Sequence, residues 1–152
     1  MTSLRRYLLL WLVPVFLAAA LIAVGCTYYM FGSMVSWFMD SQMQVLAESH
    51  TAETIGPPAL RPLTEHHIEK GGLIVQIWDG QGGLLTSTYP ALAVPLQAAD
   101  GFENVKIGSQ TWRIYSVHTP GRTVQTIQDA EFRVHVINKQ ALQAGLPIAL
   151  LI

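Results

Sequence analysis

The stretch "QTWRIYSVHTPGRTVQTIQ", Gln110 to Gln128, decides the fold. In its first half Trp112, Ile114 and Ser116 fall on one side of an extended chain, and Arg113, Tyr115 and Val117 on the other. That period of two is the mark of a strand. Pro120, Gly121 and Arg122 make the turn, and in "TVQTIQ" Val124 and Thr126 oppose Gln125 and Ile127. Two alternating runs joined by a proline–glycine reversal predict an antiparallel hairpin.

Working outward, "GGLIVQIWDGQGGLLTSTY" predicts a second hairpin. Leu73 to Trp78 is one strand, Asp79-Gly80 and Gly82-Gly83 reverse the chain, and Leu84 to Tyr89 returns. Between the hairpins, "ALAVPLQAADGFENVKIGS" is broken by proline and reads mainly as connection, with a short strand at Val105 to Ile107. Before them, "GSMVSWFMDSQMQVLAESHTAET" predicts a helix. Val35, Met39, Met43 and Leu46 form its apolar stripe, broadened by Phe38 and Val45, and "GPPALRP" from Gly56 to Pro62 ends it. After the hairpins, Asp129 is a candidate N-cap for a final helix carrying Phe132, Val136 and Leu142. The expected class is α+β: an antiparallel sheet of three or four strands flanked by helices.

The ends of the chain read differently. After Arg6 no charge occurs until Asp40. Residues 7–31, as a helix, exceed the roughly 20 residues that span a bilayer core. Arg5 and Arg6 place the N-terminus in the cytoplasm by the positive-inside bias, and Tyr28 and Tyr29 suit the far interface. Pro14 predicts a kink. A cleaved signal peptide is a weaker match because the apolar run is too long. A lipoprotein site at Cys26, in "AVGC", fits imperfectly because Ala23 stands where a larger aliphatic residue is usual. The last seven residues, Leu146 to Ile152, carry no polar side chain and predict the start of a second membrane helix. The expected organisation is a cytoplasmic tail (1–6), a transmembrane helix (7–31), a periplasmic domain (32–143) and a second span beginning at 144–152.

Composition narrows the function. The chain of 152 residues is 51% hydrophobic and 12% charged, with net charge −1, so it has no basic patch for nucleic acid. A single cysteine excludes an internal disulfide or a multi-cysteine metal site.

Several segments together resemble the N-terminal input region of bacterial two-component sensor histidine kinases. They are "LRRYLLLWLVPVFLAAALIA", "FMDSQM", "VQIWDGQGGLLTST", "GFENVKIGSQTWRIYSV" and "GRTVQTIQDAEFRV". The resemblance implies a membrane-anchored periplasmic sensor domain in a homodimer in the inner membrane. It also implies a parent protein whose cytoplasmic core uses ATP and Mg and passes phosphate to a response regulator. This chain has no glycine-rich nucleotide loop and no room for that core, so no catalytic residue, cofactor or metal ligand is assigned to it. The rival reading is a standalone membrane- or lipid-anchored envelope binding protein without kinase output.

Candidate binding residues follow from residue type. Trp78 and Trp112 would line a ligand pocket, although core packing is the ordinary use of tryptophan in a strand. Arg113 and Arg122 would hold an anion, although a solvated sheet face is the simpler account of Arg113. The stripe Val35, Met39, Met43 and Leu46 is the candidate signalling-helix interface. His66-His67 beside Glu65 and Glu69 lacks an obvious third ligand, and His50, His118 and His135 are candidates by type alone. Asp79, directly before Gly80, reads as a turn residue. Ser33, Ser36 and Ser41 have no base of triad character nearby.

Overall fold

The computed structural model describes residues 3–51 and 60–149, without the side chains of 3–5 and 141–149. The chain divides into two compact units, Met1–Val35 with Ile137–Ile152, and Ser36–Val136.

The first unit holds the apolar part of helix α1, which runs Ser3–Thr51 with Pro14 inside it. At 1.5 Å per residue the whole helix is about 74 Å long. Its most apolar window has a mean hydropathy of 2.6 with nothing buried. Leu10, Trp11, Phe16, Leu21 and Ile22 all stand exposed, as they would toward lipid. The Thr27 hydroxyl donates to the Ala23 carbonyl (2.8 Å), so the hydroxyl proton has its acceptor within the helix. The Tyr28 hydroxyl donates to Oδ1 of Asn138 (2.9 Å) on helix α3, Ala130–Ala149. Among the described residues α1 is the one helix long and apolar enough to cross a membrane. Of the expected second span, residues 144–149 continue α3 and residues 150–152 lie outside the described residues.

The second unit is a five-stranded antiparallel sheet with a short helix α2, Glu65–Glu69. Its strands are β1 Ile74–Asp79, β2 Leu84–Ser87, β3 Gly101–Ile107, β4 Gln110–Thr119 and β5 Arg122–Asp129, in the order β2-β1-β5-β4-β3. The expected three or four strands are thus five. β3 is a full seven residues paired along β4 from Gly101↔Ser116 to Ile107↔Gln110. The two predicted hairpins stand side by side because β1 pairs with β5, from Ile74↔Ile127 to Asp79↔Arg122. Both turns use glycine where the backbone demands it. Gly121 follows Pro120 at φ +83°, the pairing a type II reversal requires. In the other, Asp79 Oδ1 accepts the backbone N–H of Gln81 (2.9 Å) and of Gly83 (2.7 Å), so Asp79 fastens the turn as expected.

Both faces of the sheet are covered. On one, Val75, Ile77 and Val124 pack with Ala47 of α1, with Leu46, Tyr115 and Val117 around them. On the other, Ile74, Ile114, Ile127 and Trp112 pack with Ile68 of α2 and Val94. The Thr126 hydroxyl donates to the Met43 carbonyl (3.0 Å), pinning α1 to the central strand. Phe38 and Val45, expected to broaden the buried stripe, instead face outward, at 55% and 64% exposure. The helix turns Met43 and Ala47 inward, and residues five back or two back from Met43 and Ala47 point away at 100° per residue. The segment 52–59, which holds most of the expected helix terminator, lies outside the described residues.

Candidate functional site

Asp40 is the first charge after the apolar run, and it binds two arginines far away in sequence. The Arg113 guanidinium on β4 donates through Nη2 to Oδ2 (2.7 Å) and through Nε to Oδ1 (3.2 Å), a two-pronged pair. Arg133, in the first turn of α3, donates to Oδ1 through Nη1. The remaining guanidinium nitrogens are also used. Arg133 Nε reaches Oε1 of Gln128 (3.0 Å), its Nη2 meets the sulfur of Met43 (3.0 Å), and Arg113 Nη1 reaches Asn104 (3.2 Å). Arg113 also lies over the Phe102 ring at 4.8 Å. Gln128 Nε2 continues the chain of bonds to the Gly71 carbonyl (3.1 Å). One carboxylate therefore ties α1, β4 and α3 together. Partial burial pushes the Asp40 carboxyl up, but hydrogen bonds and charge from Arg113 and Arg133 outweigh it and hold it below the usual carboxylate range.

The start of α3 is fixed by packing as well as charge. Asp129 Oδ1 accepts the N–H of Glu131 (2.8 Å), so the expected N-cap is in place. The Phe132 ring lies directly over Gly71, which has φ +81° and no room for a Cβ.

On the opposite face a segment without regular structure, Tyr89 to Asp100, straps the sheet. Side chains rising from the strands hold its backbone. Gln125 Oε1 accepts the Gln97 N–H (2.6 Å), and Gln76 Nε2 donates to the Leu92 carbonyl (3.4 Å). His118 closes the strap's end. Its Nδ1 lies 2.7 Å from Oδ1 of Asp100 and its Nε2 lies 3.1 Å from the Gln97 carbonyl. Both partners are oxygen acceptors, so each ring nitrogen faces a group to which an N–H can donate. The same contact, together with a bond from the His118 backbone N–H, holds the Asp100 carboxyl below its ordinary range.

The residues singled out from sequence are dispersed. Trp112 is in the core at 4% exposure, while Trp78 lies on the same face three rungs away along β5, opposite Thr123. Arg113 points to the other face and is held by Asp40, and Arg122 sits at the β4–β5 turn opposite Asp79 and Thr119. Of the signalling stripe, Met43 is fully buried in the domain, and Val35, Met39 and Leu46 are half-buried. His67 Nδ1 lies within bonding distance of the Thr64 N–H (3.3 Å) and hydroxyl (2.6 Å), while His66 lies 3.8 Å from Glu69. Among the described residues no three metal-ligating side chains converge. Sequence reasoning missed Asp40, Arg133, Gln76 and Gln125. The last two carried a signal: polar residues in "IVQIW" and "TVQTIQ" at positions where the alternation points inward.

No family model matches the chain, and neither the curated proteins nor the solved structures yield a match. The fold and its bonded network therefore carry the functional argument: a membrane-anchoring helix followed by a small sheet-and-helix domain, an architecture consistent with signal sensing.

Proposed function

We propose that the chain is the periplasmic input module of a two-component sensor histidine kinase. The observation that carries this reading is the Asp40 node, which joins the anchor helix, the sheet and α3 through one carboxylate. A stimulus that reshapes the sheet would act on both helices at once, and two discrete arrangements of the node would serve as its off and on states. The N-terminus is then cytoplasmic and the domain periplasmic. A second copy would meet the outward face of α1, where Trp37, Phe38 and Val45 stand exposed beside a groove lined by Ser41, Gln42, Ser49 and Leu73. The sequence resemblance adds ATP, Mg and a response regulator as needs of the parent protein's cytoplasmic core, not of this chain.

The test is the nucleotide sequence past the codon for Ile152, with the product sized on an immunoblot. The reading expects a complete apolar span, basic residues and then a histidine-bearing dimerisation helix. A stop codon there, with a product of 16.7 kDa, overturns it in favour of a standalone envelope binding protein.

A further inference from the structure

One half of the strapped sheet face is built as a core and the other half is not. The rung Ile74–Ile127–Ile114 is apolar and packs with Ile68, Val94 and Trp112. The next rungs on the same face are Gln76–Gln125–Ser116 and Trp78–Thr123–His118. Gln76, Gln125 and Ser116 are at most 1% exposed. Polar groups shut away from water need good partners; Gln125 Oε1 has one in the Gln97 N–H (2.6 Å), but the other groups of this rung do not. The bonds Gln76 to Leu92, Ser116 to Gln125 and Gln125 to Pro95 measure 3.4, 3.4 and 3.5 Å, at the far end of the useful range. Among the described residues two buried side-chain atoms have no hydrogen-bond partner, the acceptor Gln76 Oε1 and the donor Trp78 Nε1. Their residues lie two apart on one face of β1, ~7 Å along the strand. The Gln76 amide turns its Nε2 toward the Leu92 carbonyl, which leaves the oxygen as the orphaned atom.

We infer that this polar half-face is the floor of a binding site for a neutral polyhydroxyl small molecule, a polyol or monosaccharide, held by Gln76, Gln125, Ser116 and Trp78 beneath the strap. A hydroxyl both gives and takes a hydrogen bond, so adjacent hydroxyls meet an orphaned acceptor and an orphaned donor together. The two carboxamides offer the same double character, and the indole offers a flat apolar face to the C–H side of such a molecule. No charged side chain belongs to these four, and the nearby His118 and Asp100 are paired with each other, so a charged ligand would lose its hydration without a counter-charge. The strap meets Gln76 and Gln125 through backbone groups of Leu92, Pro95 and Gln97, which a ligand's hydroxyls can replace one for one. As the stimulus site of the input module the proposal rests on that reading, but binding is measured without any output, so the two fail separately.

The experiment uses the full chain in lipid nanodiscs with ¹⁵N-labelled tryptophan, titrated with glycerol, glucose and, as a charged control, glucose 6-phosphate. The Trp78 indole signal is assigned by Trp78→Phe. The expected result is a saturable shift of that signal with glycerol or glucose, none with the phosphate, and no movement of Trp11 or Trp37. Gln76→Met should weaken binding about tenfold, the loss of one hydrogen bond, without lowering the melting temperature. If Gln76→Met does not fold, Trp78→Phe read by calorimetry should show at least the same tenfold loss, since it removes the N–H together with part of the indole face. An unsaturable drift shared by all indoles, or unchanged affinity in the folded variants, overturns the proposal and leaves a buried water as the partner of both atoms.

Discussion

Replacing Asp40 by asparagine removes one charge and keeps the shape, which makes it the cleanest probe of the node. The carboxylate accepts from Arg113 twice and from Arg133 once. Asparagine can accept at one oxygen only, and its NH₂ would face a guanidinium. The Arg113 limb is near the surface, with both side chains about a quarter exposed, so it is worth about 1 kcal/mol. The Arg133 limb is deeper, at 8% exposure, and leaving that cation unmatched should cost about 2–3 kcal/mol, below the range for a fully buried pair. The total is about 3–4 kcal/mol. For a domain of this size that lowers the melting temperature by roughly 12–30 °C. Thermal unfolding of the full chain in nanodiscs, followed by near-ultraviolet circular dichroism, measures it. Replacing Asp40 by leucine together with Arg133 by methionine should recover much of the loss, because a packed apolar pair carries no desolvation cost. A loss under about 1 kcal/mol for Asp40→Asn, or one abolished by about 0.5 M salt, where the Debye length is roughly half its physiological value, would refute the two-limb account.

Four further outcomes follow. Because Asp40 is depressed in the folded state, its ionised form stabilises the domain above its ordinary value near ~4, and this is lost as pH falls from there through the folded value; the acid limb of a stability–pH curve should shrink in Asp40→Asn. Gly71→Ala should destabilise by about 2 kcal/mol or more on equilibrium unfolding, since φ +81° and the Phe132 ring both resist a Cβ. Ile127→Ala, at the fully buried centre of the sheet, should cost about 2–5 kcal/mol, whereas Leu85→Ala, half exposed, should stay within about 0.5 kcal/mol. In intact cells expressing a Cys26→Ala background, Leu85→Cys should react with a membrane-impermeant maleimide and Ser3→Cys should not; the reverse pattern would invert the topology.

The parts of the fold visible in sequence are those with a period. β4 alternates cleanly because the side of Trp112, Ile114 and Ser116 is buried and the other side only half-buried, whereas β5 is buried on both sides and shows itself mainly through the turn before it. β3 was only half visible because it is the outermost strand and its first residues, Phe102, Glu103 and Asn104, are exposed. α2 is five residues long, too short for a helical repeat to show in the sequence. The stripe on α1 was read with the correct centre at Met43 but too wide a span, because an apolar helix near a membrane carries greasy residues on every face. Asp40 and its arginines are separated by 73 and 93 residues, and only the assembled sheet brings them together. A hint was present: Asp40 interrupts the longest uncharged run in the chain, next to the stripe residue Met39.

Among the described residues the strand order leaves the backbone of β2 unpaired on one side and that of β3 on the other. β3 is guarded by the exposed charges of Glu103 and Lys106, which make a poor template for a foreign strand. β2 has no such guard: Leu84 and Leu85 stand 47% and 53% exposed, and its protection is brevity, four residues stopped by a proline at position 90. Aggregation by edge-to-edge addition should therefore begin at β2, and a lysine in place of Leu85 should suppress it at little cost to the fold.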